Sequence, residues 1–298
     1  MLVYGFGQRA LVGGLVIAAT CSLISFFVIV RRLAFVGMGI SHAAFGGVAI
    51  GIAAGINPIL TAGGFCILVA GGIGWFSRKG RLHEDTVIGI LFSAAMAMGV
   101  ALVAVAHAYN LDLMSYLFGS ILALSWVDVA IVAVLGALVI SFLVLFFKEL
   151  LFFVFDQETA TASGVPVRLV YYGLLITMAV TIVVSIKLVG IILVSALLVI
   201  PGATGMQLSR NYRGVIIASM GAGLASVAGG LWLSSRLDVA SGATIVLVLF
   251  AVFLLSVAVS PRRRYVAALL GRGERARASA VAEDVTGKAV VNAGVPDV

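Results

Sequence analysis

Residues 126–147 read WVDVAIVAVLGALVISFLVLFF, an apolar run whose single charged side chain, Asp128, lies near its start. A helix needs about 20 predominantly apolar residues to cross the hydrocarbon core of a bilayer, so this run is long enough to span a membrane. Similar runs recur along most of the chain, at residues 10–30, 38–54, 59–76, 86–106, 169–186, 188–208, 214–233 and 241–260. The pattern predicts an all-α integral membrane protein with about nine transmembrane helices, or about eight if the segments on either side of Lys187 form one crossing.

The composition supports a membrane protein. Of the 298 residues, 62% are hydrophobic and 10% are charged, whereas an ordinary soluble domain is about one quarter charged. The formal net charge of +7 would suggest a nucleic-acid partner in a soluble protein. Here most Lys and Arg residues fall in loops between apolar runs, where they determine topology. We therefore expect a multi-pass protein in the lipid bilayer of the cell membrane, with no nucleic-acid partner.

The basic loops also predict the orientation, because cytoplasmic loops carry an excess of Lys and Arg. An N-terminus outside and a C-terminus in the cytoplasm leave few basic loop residues outside, namely Arg9, Lys187 and Arg236. Residues 1–261 would form the transmembrane domain, and residues 262–298, rich in Ala, Gly and charge, a disordered cytoplasmic tail. The piece LMSYLFGSILAL at 113–124 is too short to span and is predicted to be a half-helix at one face.

Several kinds of chemistry are missing from the sequence. No Asp or Glu is predicted at mid-membrane depth, where carriers driven by protons or sodium ions usually need an ionisable group. This argues against an ion-coupled carrier that works alone. The sequence has neither the G-x-x-x-x-G-K-[ST] phosphate loop nor the H-E-x-x-H metalloprotease motif. We expect a chain that is not an enzyme, and any ATP that energises transport would be hydrolysed by another polypeptide.

The loop FDQETATASGVPV at 155–167 interrupts two long apolar segments. It places Glu158, Ala160 and Gly164 in a short run that is compatible with a helix and ends at Gly164, before Pro166. A short amphipathic helix of this kind can dock into a groove of a partner protein. A plain solvated connector fits the same spacing, and the residues alone leave both interpretations open.

A lone histidine, His42, lies in the apolar, glycine-rich stretch GMGISHAAFGG at 37–47. It could contact a transported ion, or it could be a packing residue that bonds to serine or backbone groups. Small residues recur every four positions along the same run and predict a face on which another helix packs closely: Ala43, Gly47, Gly51 and Gly55. The two cysteines, Cys21 and Cys66, both fall in apolar runs, where we expect small hydrophobes and no disulfide.

The chain resembles the membrane permeases of the zinc, manganese and iron class of ABC importers, the ABC-3 type, over residues 10–261. Six segments carry the resemblance by their order and spacing: GMGISHAAFGGVAIG at 37–51, EDTVIGILFSAAMAMG at 84–99, YLFGSIL at 116–122, FDQETATASGVPV at 155–167, VGIILVSALLVIPGATG at 189–205 and LDVASGATIVLV at 237–248. The resemblance implies a transport subunit that binds no cofactor itself. Its implied partners are an ABC ATPase that binds ATP, an extracytoplasmic metal-binding protein, and a second permease copy or close relative.

The resemblance also assigns roles to residues. It identifies the loop with Glu158, Ala160 and Gly164 as the helix that couples transport to the ATPase, with Asp156 fixing that loop. Many members carry an aspartate four residues before the histidine of the second span, and the pair is similar to a metal gate in the translocation path.

Here Met38 stands in place of that aspartate. His42 is therefore the predicted transient metal contact, with Met38 as a weaker candidate. A thioether is a soft, neutral ligand that manganese does not favour. The sequence leaves zinc, manganese and iron open as the metal. It also leaves open a permease for a metal chelate, besides the less favoured ion-coupled carrier.

Overall fold

The computed structural model describes residues 5–79, 83–106, 119 and 125–260. The half-helix predicted at 113–124 lies, apart from Gly119, outside the described residues, and so does the predicted tail at 262–298. Within the described ranges all regular structure is α-helical: α1 Gly5–Val30, α2 Ala34–Ala54, α3 Pro58–Lys79, α4 Glu84–Val105, α5 Trp126–Leu145, α6 Phe147–Phe155, α7 Gln157–Ala162, α8 Val167–Leu197, α9 Ile200–Leu208, α10 Tyr212–Leu237 and α11 Ser241–Val259. The predicted all-α membrane fold is confirmed.

Eight helical runs in the described part of the chain are long and apolar enough to cross a bilayer. One of them, Val167–Leu208, has 42 residues, about twice the length that a crossing needs. This run contains α8 and α9, and α8 itself is interrupted at Gly190, whose φ of 79° and ψ of 164° are not helical. Only glycine adopts that backbone region readily.

The chain folds back on itself at Gly190. A Cβ atom added to Gly37 of α2 would lie 3.3 Å from Cε of Met178 and 3.5 Å from Cδ1 of Leu198. A straight helix would hold residues 178 and 198 about 30 Å apart at 1.5 Å per residue. The apolar segments predicted on either side of Lys187 are therefore both present, and they are joined at Gly190.

Helix α2 is held between α3 and α4 by close backbone contacts. A Cβ on Gly47 would lie 2.6 Å from Cα of Ala62 in α3, and a Cβ on Gly46 would lie 2.7 Å from the carbonyl oxygen of Ala95 in α4. These glycines let the three helices approach closely, as predicted for Gly47. Gly55 is different: it ends α2 with a φ of 66° and has no atom within 4 Å of its Cβ position. The prediction that Gly55 belongs to the packing face was wrong, because this glycine lies after the end of α2, where it supplies the left-handed conformation of the turn.

The two ends of the bundle differ in charge. Helices α6 and α7 lie at one end, which we call the basic end, where Arg31 donates a hydrogen bond to Gln157 and Arg78 lies over the ring of Tyr171. The opposite end carries an ion pair in which Lys187 Nζ lies 2.6 Å from Asp128 Oδ1. Beside this pair, α3 and α5 both pack on α8 and leave between them a largely apolar groove of about 560 Å³.

Helices α1 and α2 meet in a tight corner at the basic end. Arg32 N–H donates to the carbonyl of Ile29 at 3.1 Å, and Leu33 N–H donates to the carbonyl of Val28 at 2.8 Å. This is a Schellman ending, in which one residue takes the left-handed conformation that glycine usually supplies. Here that residue is Arg32, with a φ of 63°. The side chain of Leu33 is buried and anchors the corner in the core.

The core between these helices is apolar and contains both cysteines. Cys21 in α1 and Cys66 in α3 are each 0% exposed, and both are free thiols. The Sγ atom of Cys66 donates a weak hydrogen bond to the carbonyl oxygen of Ile40 at 3.6 Å. The thiols thus contribute to helix packing, as their apolar sequence context predicts.

Candidate functional site

His42 projects from the middle of α2, about 12 Å along the helix axis from its start at Ala34. Its Nδ1 lies 2.9 Å from the carbonyl oxygen of Met38, one turn earlier. A carbonyl oxygen can only accept, so in the neutral imidazole Nδ1 carries the proton and Nε2 keeps a free lone pair. The imidazole also stands edge-on to the ring of Phe92 in α4, with 5.4 Å between centroids. These contacts orient the ring and leave one nitrogen available as a ligand.

The face of α2 that carries His42 is open. Met38 is 44% exposed and Phe35 is 55% exposed, while His42 is half-buried. Met38 and His42 are four residues apart and share this face, as the helical spacing predicts. The structure thus brings the two predicted metal contacts together, on a surface that the described part of the chain does not cover.

This face does not form a complete metal site by itself. Among the described residues, no three His, Cys, Asp or Glu side chains come close enough to hold a metal ion together. His42 and Met38 could supply one imidazole nitrogen and one thioether sulfur. Further ligands could come from water, from the backbone, from another subunit or from residues of this chain outside the described ranges.

The predicted coupling loop contains a short helix, α7, that begins at a strong cap. Asp156 Oδ1 accepts hydrogen bonds from the backbone N–H groups of Glu158 at 3.1 Å and Thr159 at 3.0 Å. Its other oxygen accepts a bond from the hydroxyl of Thr159. The hydrogen bonds from Thr159 hold the pKa of Asp156 below its ordinary value. Local sequence rules for helix starts thus account for the way Asp156 fixes this loop.

The end of α7 is equally well defined. Gly164 takes a φ of 82°, and the N–H of Val165 donates to the carbonyl of Ala160 at 3.0 Å. These are the features of a Schellman ending, in which the helix ends at Ala162, Ser163 is its C-cap and Gly164 supplies the left-handed residue that follows, close to the predicted end. Of the candidate coupling residues, Ala160 is buried against the bundle, whereas Glu158 and Gly164 are exposed. The helix therefore has one face seated on this chain and one face free.

Helix α7 is attached to the bundle by the side chain of Arg31, to which the sequence gave no such role. Arg31, just after α1, donates a hydrogen bond to Oε1 of Gln157, the first residue of α7. The same guanidinium lies 4.7 Å from the ring centroid of Phe153 in α6. In the sequence, Arg31 gave only a topological signal, because no local pattern links it to a residue so distant in the chain.

A cluster that the sequence did not reveal joins four helices at the basic end. Tyr171 in α8 donates its hydroxyl hydrogen bond to Oε1 of Glu84, in the first turn of α4, at 3.0 Å. The guanidinium of Arg78 in α3 lies 5.5 Å from the Tyr171 ring centroid. The ring of Phe153 lies 6.0 Å from the same ring. The cluster therefore joins α3, α4 and α8 to α6, the helix that precedes α7.

Taken together, the apolar spans, the open face of α2 and the half-free helix α7 describe a membrane permease built to work with other subunits. The chain belongs to the ABC 3 transport family, whose family model matches residues 3–260.

Individual proteins are similar to this chain over nearly their whole length. The chain is 35% identical to the manganese transport system membrane protein MntC of Halalkalibacterium halodurans, over 93% of this chain and 94% of that protein. It is 32% identical to a probable iron transport system membrane protein of Haemophilus influenzae, over 88% and 96% of the two chains. Among solved structures it is similar to PsaBC from Streptococcus pneumoniae in complex with Fab, with a TM-score of 0.79 and 33% identity over 88% of this chain and 94% of that one.

Proposed function

We propose that this permease forms the membrane path of an ATP-driven importer of divalent transition-metal ions, with zinc, manganese and iron as the candidates. The observation that carries the proposal is the position of His42 on the open face of α2, with its hydrogen bond made through Nδ1 and its Nε2 left to bind a metal. The chain also aligns over nearly the whole length of relatives that are named for manganese and iron transport. ATP would be bound and hydrolysed by a separate ATPase subunit. An extracytoplasmic binding protein would deliver the metal.

His42 is the proposed transient metal contact. A neutral imidazole nitrogen is a good ligand for zinc and iron, and a path needs weak sites that an ion can leave. Met38 would line the same face as a neutral thioether, without the charge that a carboxylate would add. Because the face is open, a second permease copy or a close relative would enclose the path between two α2 helices.

Helix α7 is the proposed coupling helix. Glu158 and Gly164 lie on its free side, where they would contact the ATPase, and buried Ala160 seats the helix on the permease. The cap formed by Asp156 would keep α7 helical while the moving ATPase pushes or pulls on it. Since the ATPase is cytoplasmic, the basic end would face the cytoplasm and the start of α1 the outside, in keeping with the excess of Lys and Arg at that end.

Metal uptake tests the proposal directly. Cells that express the permease with its ATPase and binding protein would be supplied separately with zinc, manganese and iron. We expect ATP-dependent uptake of at least one metal, and its loss in His42→Ala at unchanged membrane abundance. His83→Ala is the matched control, because His83 is an exposed histidine directly before α4. It precedes Phe92, the α4 residue that the His42 ring contacts, by nine residues, or about 13 Å along the helix axis. Uptake that survives His42→Ala would show that His42 only packs.

Met38 supports a second candidate, a permease for a metal chelate. A neutral side chain at the gate position imposes no charge requirement and would admit a bulkier, complexed metal. In this case the wild type would import the chelate and not the free ion, and Met38→Asp would shift uptake toward the free ion. If the wild type imports the free metal ion and not the chelate, this candidate is refuted.

A further inference from the structure

The α1–α2 corner and helix α7 are joined by one side chain, Arg31. Its backbone N–H donates to the carbonyl of Phe27 at 3.0 Å, directly before the two bonds of the Schellman ending, from Arg32 to Ile29 and from Leu33 to Val28. The residue is therefore part of a corner in which three successive backbone N–H groups are hydrogen-bonded and in which Leu33 is buried. Helix α2 begins at Ala34, directly after this corner. A force applied to the Arg31 side chain would consequently act on the start of α2.

The side chain of Arg31 contacts both helices that flank Asp156. It bonds to Gln157 in α7 and stacks over Phe153 in α6. Phe153 is 0% exposed, so the guanidinium rests on a part of the protein that cannot shift without the core. Only a planar guanidinium can stack on a ring and donate sideways at the same time, since a lysine ammonium is a point charge.

These contacts give α7 two routes into the bundle. One runs through Phe153 and Tyr171 to Glu84, at the start of α4. The other runs through Arg31 to the corner, and from there along α2 to His42. The second route contains the side chains of Gln157 and Arg31 and one backbone turn, and it ends on the helix that carries the proposed metal contact.

We propose that Arg31 is a positioning residue that couples the displacement of α7 to α2, and so links the ATPase to the metal gate. This inference rests on the proposed function. In this proposal Arg31 acts through Gln157 and through the corner, and not by binding metal or ATPase itself. A plain topological role, in which Arg31 only adds positive charge to the basic end, would be shared by any exposed basic residue there.

The test compares coupling in the assembled complex, reconstituted in proteoliposomes with its ATPase. We expect Arg31→Met to keep ATP hydrolysis but to raise the ATP consumed per metal ion transported by about tenfold, within the usual range of coupling between sites. Arg31→Lys should restore only part of the coupling, because lysine keeps the charge and loses the planar stack. Arg168→Gln is the control, since Arg168 is an exposed arginine at the start of α8 and its replacement removes the same charge.

Two further measurements keep the test decisive. Gln157→Leu removes the same hydrogen bond from the other side and leaves all arginines in place, so it serves if Arg31→Met does not fold. Amide hydrogen exchange of α2, with and without a non-hydrolysable ATP analogue, reports the link without any transported ion. Nucleotide should change exchange near Ala34 in wild type, and this change should vanish in both variants.

The outcomes separate the two proposals. No ATP-driven metal uptake by the wild type would refute the proposed function, while a nucleotide response of α2 that depends on Arg31 would still support the link. Metal uptake that stays fully coupled in Arg31→Met and Gln157→Leu, or a nucleotide response of α2 that persists in them, would overturn the role of Arg31 and leave the proposed function intact.

Discussion

Replacement of Gly47 by alanine should destabilise the protein, whereas the same change at Gly64 should not. At Gly47 the new Cβ would lie 2.6 Å from Cα of Ala62, 3.0 Å from Cβ of Phe65 and 3.2 Å from the carbonyl oxygen of Thr61. Carbon atoms pack best at about 3.5–4.0 Å, so α2 and α3 would have to separate by about 1 Å. No rotamer change can relieve a contact with backbone atoms.

The magnitude follows from two opposing terms. Overpacking in a close-packed interior costs about 1–3 kcal/mol, and alanine regains about 1 kcal/mol of helix propensity over glycine. Because the contacts at Gly47 are with backbone atoms, we take the upper half of the overpacking range, about 2–3 kcal/mol. After the propensity gain, Gly47→Ala should lower the free energy of unfolding by about 1–2 kcal/mol. Gly64, inside α3, has no atom within 4 Å of its Cβ position, so Gly64→Ala keeps only the favourable propensity term.

Equilibrium unfolding of the purified permease in detergent, followed by helical circular dichroism, would measure the difference between the two variants. We expect Gly47→Ala to unfold at lower denaturant concentration than wild type and Gly64→Ala at the same or a higher concentration. Equal stability of the two variants would refute the reasoning, since it would mean that α2 and α3 do not pack through Gly47.

Three other changes test the ends of helices. Glu158→Lys should leave the permease inserted and abundant but abolish ATP-driven uptake; normal uptake would contradict the coupling role of α7. Arg32→Gly should stabilise the protein by about 1 kcal/mol, because glycine avoids the left-handed penalty of a larger residue; a lower melting temperature would argue against strain at φ 63°. Asp156→Ala should speed amide exchange across α7 at pH 7. Because the hydrogen bonds from Thr159 lower the folded pKa of Asp156, its cap in wild type is complete above about pH 4 and is lost only as the pH falls through the lowered pKa. The protection factors of the α7 amides, which correct for the intrinsic rise of exchange with pH, should therefore stay constant in wild type between pH 5 and 8, and a loss of protection in that range would count against the cap.

Most of the transmembrane helices can be predicted from the sequence, because the bilayer restricts which backbone structures can cross it. Long apolar runs must be helices, since no water is present to satisfy their backbone groups. The ends of α7 were predictable for a different reason: Asp156 and Gly164 satisfy short-range rules that involve only their close neighbours.

The position of the fold-back was harder to predict. Lys187 suggests a break because a charge is unfavourable inside a membrane, but the chain turns at Gly190, where the backbone needs a conformation that glycine allows. Lys187 is accommodated by its ion pair with Asp128. A charge in an apolar run thus indicates the neighbourhood of a turn, whereas the turn itself occurs at the glycine whose backbone adopts the required conformation.

Contacts between side chains that are far apart in the chain could not be predicted from the sequence. Arg31 lies in the α1–α2 corner and Gln157 at the start of α7, 126 residues later. Tyr171 and Glu84 are 87 residues apart in the sequence. Each residue alone reads as an ordinary polar or basic position near a helix end. Their meeting depends on how α1, α4, α7 and α8 pack, which periodicity and local propensity do not encode.

The complete burial of Cys21 and Cys66 has a practical consequence for work on this permease. A membrane-impermeant maleimide would find no accessible thiol in the native chain, so the natural sequence serves as its own unreactive background. One cysteine placed at exposed Asn57, at the end opposite to α7, or at exposed Ser163 beside α7, would then be the single reactive thiol. Labelling of intact cells at one position and not the other would report which end of the bundle faces outward.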